Sequence, residues 1–158
     1  MQRLRPNFVG SAAAVVEIGG ETTDGSTIRL SVTRSVLHAF IIEDDYLISQ
    51  ALRDMLADLG FNRFSFARSE DAAVAGAHGE RFDLITADAR LLPGDGLKAV
   101  ETICRRRKVP VIFVTGYPDE IEGEIEAKLP EATIVHKPID ATELAAAVRN
   151  VMAAHEAS

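Results

Sequence analysis

Four short apolar segments of this 158-residue chain run into side chains that can carry or offset charge. "LHAFII" leads into Glu43, Asp44 and Asp45, and "FDLITA" into Asp88. "VIFV" leads into Thr115, and "ATIVH" into Lys137, which is followed by Pro138. Two carboxylates about 5 Å apart repel by about 3 kcal/mol at an effective dielectric of about 20, so a cluster of three needs a compensating cation. Hard oxygen donors of this kind suit Mg²⁺, which keeps part of its water shell and favours sites shared with phosphate oxygens. The Lys137 ammonium and the Thr115 hydroxyl are donors of the type that holds the equatorial oxygens of a phosphoryl group. A carboxylate can itself accept a phosphoryl group and become an acyl phosphate. Asp88 is the candidate nucleophile, with the metal neutralising the charge gathered in the transition state.

That chemistry requires a scaffold that brings the four segment ends to one rim. From Leu37 onward the pattern is regular. Leu47, Ile48, Ala51, Leu52, Met55, Leu56 and Leu59 recur at three- and four-residue steps, one face of a helix that Gly60 ends. Asp45 reads as the cap of that helix and not as a ligand. "FNRFSFA" reads as a second strand, with no obvious chemical group in the "FARSE" that ends it. "SEDAAVAGAH" follows as a helix capped by Ser69. "GDGLKAVETICRRRK" is a third helix, and "DEIEGEIEAKL" a weaker, acid-rich fourth, in which Gly123 costs about 1 kcal/mol against Ala. "DATELAAAVRNVMAA" closes the chain as a fifth, opened by a D-x-x-E capping box at Asp140 and Glu143. Five strand–helix pairs in strict alternation predict an α/β fold, a parallel sheet with helices on both faces. In such sheets ligands bind beyond the carboxyl ends of the strands, where the four groups stand.

Composition narrows the function classes. The chain is long enough for one domain with a real core. Its formal net charge of −7 argues against nucleic acid or an anionic membrane surface as the main partner. A single cysteine, Cys104, excludes an internal disulfide framework and fits a reducing compartment. No apolar run approaches the roughly 20 residues of a membrane span, and the expected location is the cytoplasm. Residues 1–36 have a different character: "GGETTDGST" is turn-rich, and Arg3, Arg5, Arg29 and Arg34 nearly balance Glu17, Glu21 and Asp24. A small hairpin fits this stretch, but an isolated two-stranded hairpin is marginal in water, so a flexible N-terminal extension is the expectation.

The residues from about Leu37 to Ala154, roughly three-quarters of the chain, resemble the receiver domain of two-component response regulators. "IIEDD" before a helix ending "DLGF" is similar to the family's first strand and helix, and places the acidic pair on Glu43 and Asp44. "LITADARLLPGDGL" resembles the third strand with its phosphoacceptor, Asp88, and a P-G-D-G turn. "VIFVTG" supplies Thr115, and "VHKP" supplies Lys137 before a proline. The resemblance implies a five-stranded sheet in 2-1-3-4-5 order and a cis Lys137–Pro138 bond. It also implies Mg²⁺ held by Glu43, Asp44, Asp88 and the backbone carbonyl of Arg90. The implied partners are a sensor histidine kinase or a histidine phosphotransfer protein, with no nucleic acid and no membrane. Output then goes through the fourth helix, fifth strand and fifth helix to a protein target, and that surface leaves room for a homodimer. The expected organisation is an extension over 1–36, a receiver over 37–154 and a tail over 155–158. The chain departs from the family at Ile134, where most receivers carry a switch aromatic; Tyr117, two residues after Thr115, is the substitute candidate.

Two other functions fit part of the pattern. A Mg²⁺-dependent phosphohydrolase with an aspartyl nucleophile would carry a second Asp two residues after Asp88, where this chain has Arg90. A scaffold that keeps the fold without phosphorylation would have no need for all five site residues. "RRRK" at 105–108 lies at a helix C-terminus, where cations complement the macrodipole, and not in a nucleic-acid motif. His38, His78, His136 and His155 show no metal-ligand spacing, and Cys104 reads as a packing residue.

Overall fold

The computed structural model describes residues 13–21, 24–25 and 27–158. Two units result, Met1–Leu37 and His38–Ser158. In the first, β1 (Ala13–Glu21) and β2 (Thr27–Ser35) pair antiparallel from Ala13 opposite Ser35 to Glu21 opposite Thr27. Gly25 takes φ +79° in the connecting turn, a region open to glycine at no steric cost. In its described part the extension expected over 1–36 contains this hairpin, the pairing that its Val-, Ile- and Thr-bearing strands on either side of a glycine turn also fit. Residues 1–12, which the same expectation covered, lie outside the described residues.

The second unit alternates strand and helix throughout. Its strands are β3 (His38–Ile42), β4 (Arg63–Ala67), β5 (Leu84–Ala87), β6 (Val111–Thr115) and β7 (Thr133–His136). Between and after them come α1 (Tyr46–Asp58), α2 (Glu70–Gly76), α3 (Gly96–Cys104), α4 (Pro118–Lys128) and α5 (Ala141–Glu156). The strands are parallel and ordered β4-β3-β5-β6-β7, which is 2-1-3-4-5 counted within this sheet. Helix α5 continues to Glu156, into the stretch set aside from sequence as a tail.

Burial explains the apolar runs. Every residue of β3, β5 and β6 is buried, so these central strands need apolar side chains toward both helical layers. On one face Phe40, Ile42, Ile85, Val111 and Phe113 pack with Val100 and Ile103 of α3 and with Ile121 and Ile125 of α4. Ile41, Leu84, Ile112 and Val114 alternate with them along the strands and are likewise buried. N-terminal caps start the helices: Asp45, Ser69 and Asp140, as the sequence suggests, and also Asp95, each accept from a first-turn amide, of α1, α2, α5 and α3 in turn. Helix α4 begins at Pro118 with no side-chain cap.

His38 is buried at the N-terminal edge of the sheet, far from the candidate site in the topology. Its Nδ1 lies 3.0 Å from the Arg81 carbonyl, and its Nε2 2.8 Å from Ser65 Oγ. A carbonyl only accepts, so Nδ1 carries a proton, and in the neutral ring Nε2 accepts a hydrogen bond from the Ser65 hydroxyl. Desolvation, then the nearby Arg63 charge, hold its pKa below the usual 6.5. The unfolded chain takes up this proton near its ordinary pKa while the fold resists, so the contribution is fully present above about pH 6.5 and is lost as pH falls toward the folded value. In urea titrations at about pH 7.5 and about pH 5.5, the stability gap between the native chain and His38→Gln should narrow at the lower pH. Parallel pH profiles would contradict this assignment.

Candidate functional site

Each candidate residue stands at or just past the end of its strand, and sheet hydrogen bonding runs into it. The Glu43 amide donates to the Ala67 carbonyl at 2.9 Å, and the Asp88 amide to that of Ile42 at 2.9 Å. The Lys137 amide donates to the carbonyl of Thr115, the last residue of β6, at 2.8 Å. Backbone pairing thus aims four strand ends at one rim. The Lys137–Pro138 bond is cis.

The side chains converge. Lys137 Nζ donates to Asp88 Oδ2 at 2.7 Å and lies 3.0 Å from Glu43 Oε2. The second contact is an ion pair without hydrogen-bond geometry, so Glu43 Oε2 is buried with no hydrogen-bond partner among the described residues. Glu43 Oε1 accepts from the Asp45 amide at 3.1 Å, and Asp44 Oδ2 from the Leu92 amide at 3.2 Å. Desolvation pushes the Glu43 carboxyl up to about 7, against the opposing pull of the Asp45 amide and Lys137. Burial also acts against the Lys137 charge, but the negative charges of Asp88 and Glu43 beside it outweigh it and leave the pKa above the usual lysine value.

One carboxylate oxygen each from Glu43, Asp44 and Asp88 lie within 4.8 Å of one another. Three hard carboxylate donors fit a divalent cation of the Mg²⁺ type, and the Glu43 side chain also carries a buried oxygen with no hydrogen bond among the described residues. Thr115 is buried, and its Oγ1 accepts from the Tyr117 amide at 3.1 Å. Arg90 donates its amide to Asp88 Oδ1 at 3.0 Å. Tyr117 is the 57% exposed N-cap residue of α4, with the Arg90 guanidinium 4.8 Å from its ring centroid. Ile134 lies apart from this cluster, half-buried on β7 opposite Phe113.

The loop after Asp88 has little freedom. A Cβ on Gly96 would stand 1.7 Å from the Asp88 carbonyl oxygen, and one on Gly94 2.6 Å from Glu70 Cβ. Glu70 Oε2 accepts from the Asp95 amide at 3.0 Å, tying the loop to α2. Sequence reading missed this role of Glu70, and it also missed Arg68. Arg68 follows β4, the strand that seemed to lack a chemical group, and its Nη2 donates to the Asp44 carbonyl at 3.1 Å. The strand-end rule applied to "FARSE" would have found it. Asp45 accepts from the Ile48 amide at 3.1 Å and caps α1.

Comparison with known proteins gives this arrangement its place. Residues 39–149 match the model of the response regulator receiver domain. The chain belongs to that family. It is 34% identical over 115 residues to the phyllosphere-induced regulator PhyR of Methylorubrum extorquens, a match that covers 71% of this chain and 42% of PhyR. The solution structure of the Erythrobacter litoralis PhyR receiver domain aligns with a TM-score of 0.66 at 29% identity, covering 74% of this chain and 90% of that one. The anti-anti-sigma factor PhyR of Bartonella quintana aligns at 0.65 and 29% identity, covering 77% and 49% of the two chains. The receiver spans about half the length of the curated relatives it matches. Among the described residues no helix is long and apolar enough to cross a membrane.

Two substitutions test the site's physics. Asp44→Asn removes one of three crowded charges, so in the presence of a chelator its melting temperature should rise by a few degrees, in line with about 1 kcal/mol of relieved repulsion. The same variant should lose most of the rise that Mg²⁺ gives the native receiver; a fall in chelator would show that the cluster is unstrained. Gly96→Ala forces a methyl group into the Asp88 carbonyl and should cost about 3 kcal/mol in urea unfolding.

Proposed function

We propose that Asp88 of this receiver accepts a phosphoryl group from a phosphohistidine on a sensor histidine kinase or a histidine phosphotransfer protein. The observation that supports this reading best is the Lys137 ammonium, 2.7 Å from Asp88 Oδ2 at the same rim as Glu43, Asp44 and Thr115. An Asp88 oxygen attacks phosphorus in line, the P–N bond breaks, and its electron pair stays on the donor imidazole. Mg²⁺, held by Glu43, Asp44, Asp88 and the Arg90 carbonyl, would neutralise charge on the phosphoryl oxygens. Lys137 holds one of those oxygens through its ammonium, and Thr115 donates its hydroxyl to another. Water later hydrolyses the acyl phosphate, so the chain catalyses only its own phosphorylation and dephosphorylation.

On this reading residues 37–154 act as a cytoplasmic switch, with 1–36 and 155–158 appended. That one relative is named an anti-anti-sigma factor supports output by protein–protein contact. Helix α4, strand β7 and helix α5 are the proposed contact face. Incubation with phosphoramidate and Mg²⁺ should add the mass of one phosphoryl group. Asp88→Asn should abolish that gain, and hydroxylamine should reverse it. An unchanged mass would favour the scaffold, and a gain that survives in Asp88→Asn would assign the acceptor elsewhere.

A further inference from the structure

The contacts around Asp88 close a circuit that includes a side-chain link not needed for phosphoryl transfer. From Asp88 Oδ2 the circuit runs to Lys137 Nζ at 2.7 Å, and from the Lys137 amide to the Thr115 carbonyl at 2.8 Å. Thr115 Oγ1 accepts from the Tyr117 amide at 3.1 Å. The Tyr117 ring lies under the Arg90 guanidinium at 4.8 Å, and the Arg90 amide returns to Asp88 Oδ1 at 3.0 Å. The same guanidinium forms an ion pair with Glu120, in the first turn of α4. One side chain from the acceptor loop therefore holds both the residue before α4 and the first turn of that helix.

Two further observations give this link consequence. Helix α4 has no side-chain cap at Tyr117, so the Thr115–Tyr117 bond and the Arg90 contacts are what fix its start. Ile134 packs against the core, where it has no aromatic ring to move.

We propose that the Arg90 side chain is a positioning residue that clamps Tyr117 and Glu120 while Asp88 is unphosphorylated, and that phosphorylation releases the clamp. The release step rests on the reading of Asp88 as acceptor. When the Thr115 hydroxyl turns to a phosphoryl oxygen, Oγ1 leaves the Tyr117 amide without its acceptor. The cation–π contact then loses the backbone that aligns the ring, and the first turn of α4 is free to shift.

The chain has two tyrosines and no tryptophan, so Tyr46→Phe leaves Tyr117 as the sole reporter in ultraviolet fluorescence. In that background, acrylamide quenching of Tyr117 should rise on treatment with phosphoramidate and Mg²⁺. The expected rise is less than about two-fold, since Tyr117 is already 57% exposed while its ring is held by Arg90. Arg90→Gln should show the raised value before any phosphoryl group is added, Glu120→Gln should show part of it, and Arg90→Lys should restore part of the protection. Intact mass in the same samples separates the two ideas. If no phosphoryl group is incorporated, the acceptor reading fails, while the comparison of untreated Arg90→Gln with its parent still judges the clamp. Equal quenching in those two untreated proteins would overturn the clamp. Unchanged quenching in a fully phosphorylated parent would overturn the release.

Discussion

Lys137 Nζ lies 2.7 Å from Asp88 Oδ2 and 3.0 Å from Glu43 Oε2, and both carboxyl groups are nearly sealed from water. An ammonium in this position offsets a repulsion that the sheet itself creates by ending β3 and β5 side by side in carboxylates. The arrangement works only with the observed strand order. With β3, β5, β6 and β7 adjacent, the acid pair, the acceptor, the hydroxyl and the lysine fall on consecutive strand ends. A register slip of one residue in β7 would turn Lys137 to the other side of the sheet and put His136 in its place. The compensation is also incomplete. Burial keeps the Glu43 carboxyl pushed up to about 7, and its Oε2 has no hydrogen-bond partner among the described residues.

Below this rim, the loop from Arg90 to Asp95 converts sheet geometry into site geometry. Gly96 lets α3 start against the Asp88 carbonyl, and Gly94 at φ +105° lets the turn pass Glu70. Leu92 gives its amide to Asp44 and Asp95 gives its amide to Glu70, so the loop is anchored on both the β3 and α2 sides. The P-G-D-G stretch is therefore a set of close approaches and a helix cap, and its residue types follow from what they must pass. The second cis bond, Leu92–Pro93, lies in this loop.

Much of this was legible in the sequence because it depends on period and order. Short apolar runs alternating with helix-spaced leucines predict a parallel sheet, and the parallel sheet decides which end of each run matters. The separation of Asp45 from Glu43 and Asp44 was legible for a related reason, since a cap must precede its helix by a fixed step. Arg68 was legible as a strand-end residue but its bond to the Asp44 carbonyl was not, and neither was Glu70 on the Asp95 amide nor Arg90 over Tyr117. Each is a long side chain reaching between loops whose approach is set by tertiary packing, and no periodicity marks such pairs. The hairpin over β1 and β2 was visible as one reading and was set aside on general stability grounds. The length of α5 was underestimated because its last residues follow helix propensity alone, without an apolar pattern to extend it.

The helices are unequally secured, and this bears on where a change at Asp88 would be felt. Helix α3 buries Leu97, Ala99, Val100 and Ile103 along with Gly96, and α5 buries Leu144, Ala147, Val148, Val151 and Met152. Helix α4 buries only Ile121 and Ile125, carries Gly123 in its middle and lacks a side-chain cap. Its acidic first turn and Lys128 in the last turn suit the macrodipole, but such terms are screened and worth a few tenths of a kcal/mol to about 1 kcal/mol each. Low apolar burial with a weak start is the physical profile of an element that opens before the rest of the domain. Its N-terminus is held by Thr115 through Tyr117 and by Arg90 through Glu120, residues that belong to or follow the strand ends of the acidic rim. The least anchored helix thus starts from residues that adjoin the acidic rim, and on the proposed phosphorylation of Asp88 these contacts are the route by which α4 would respond.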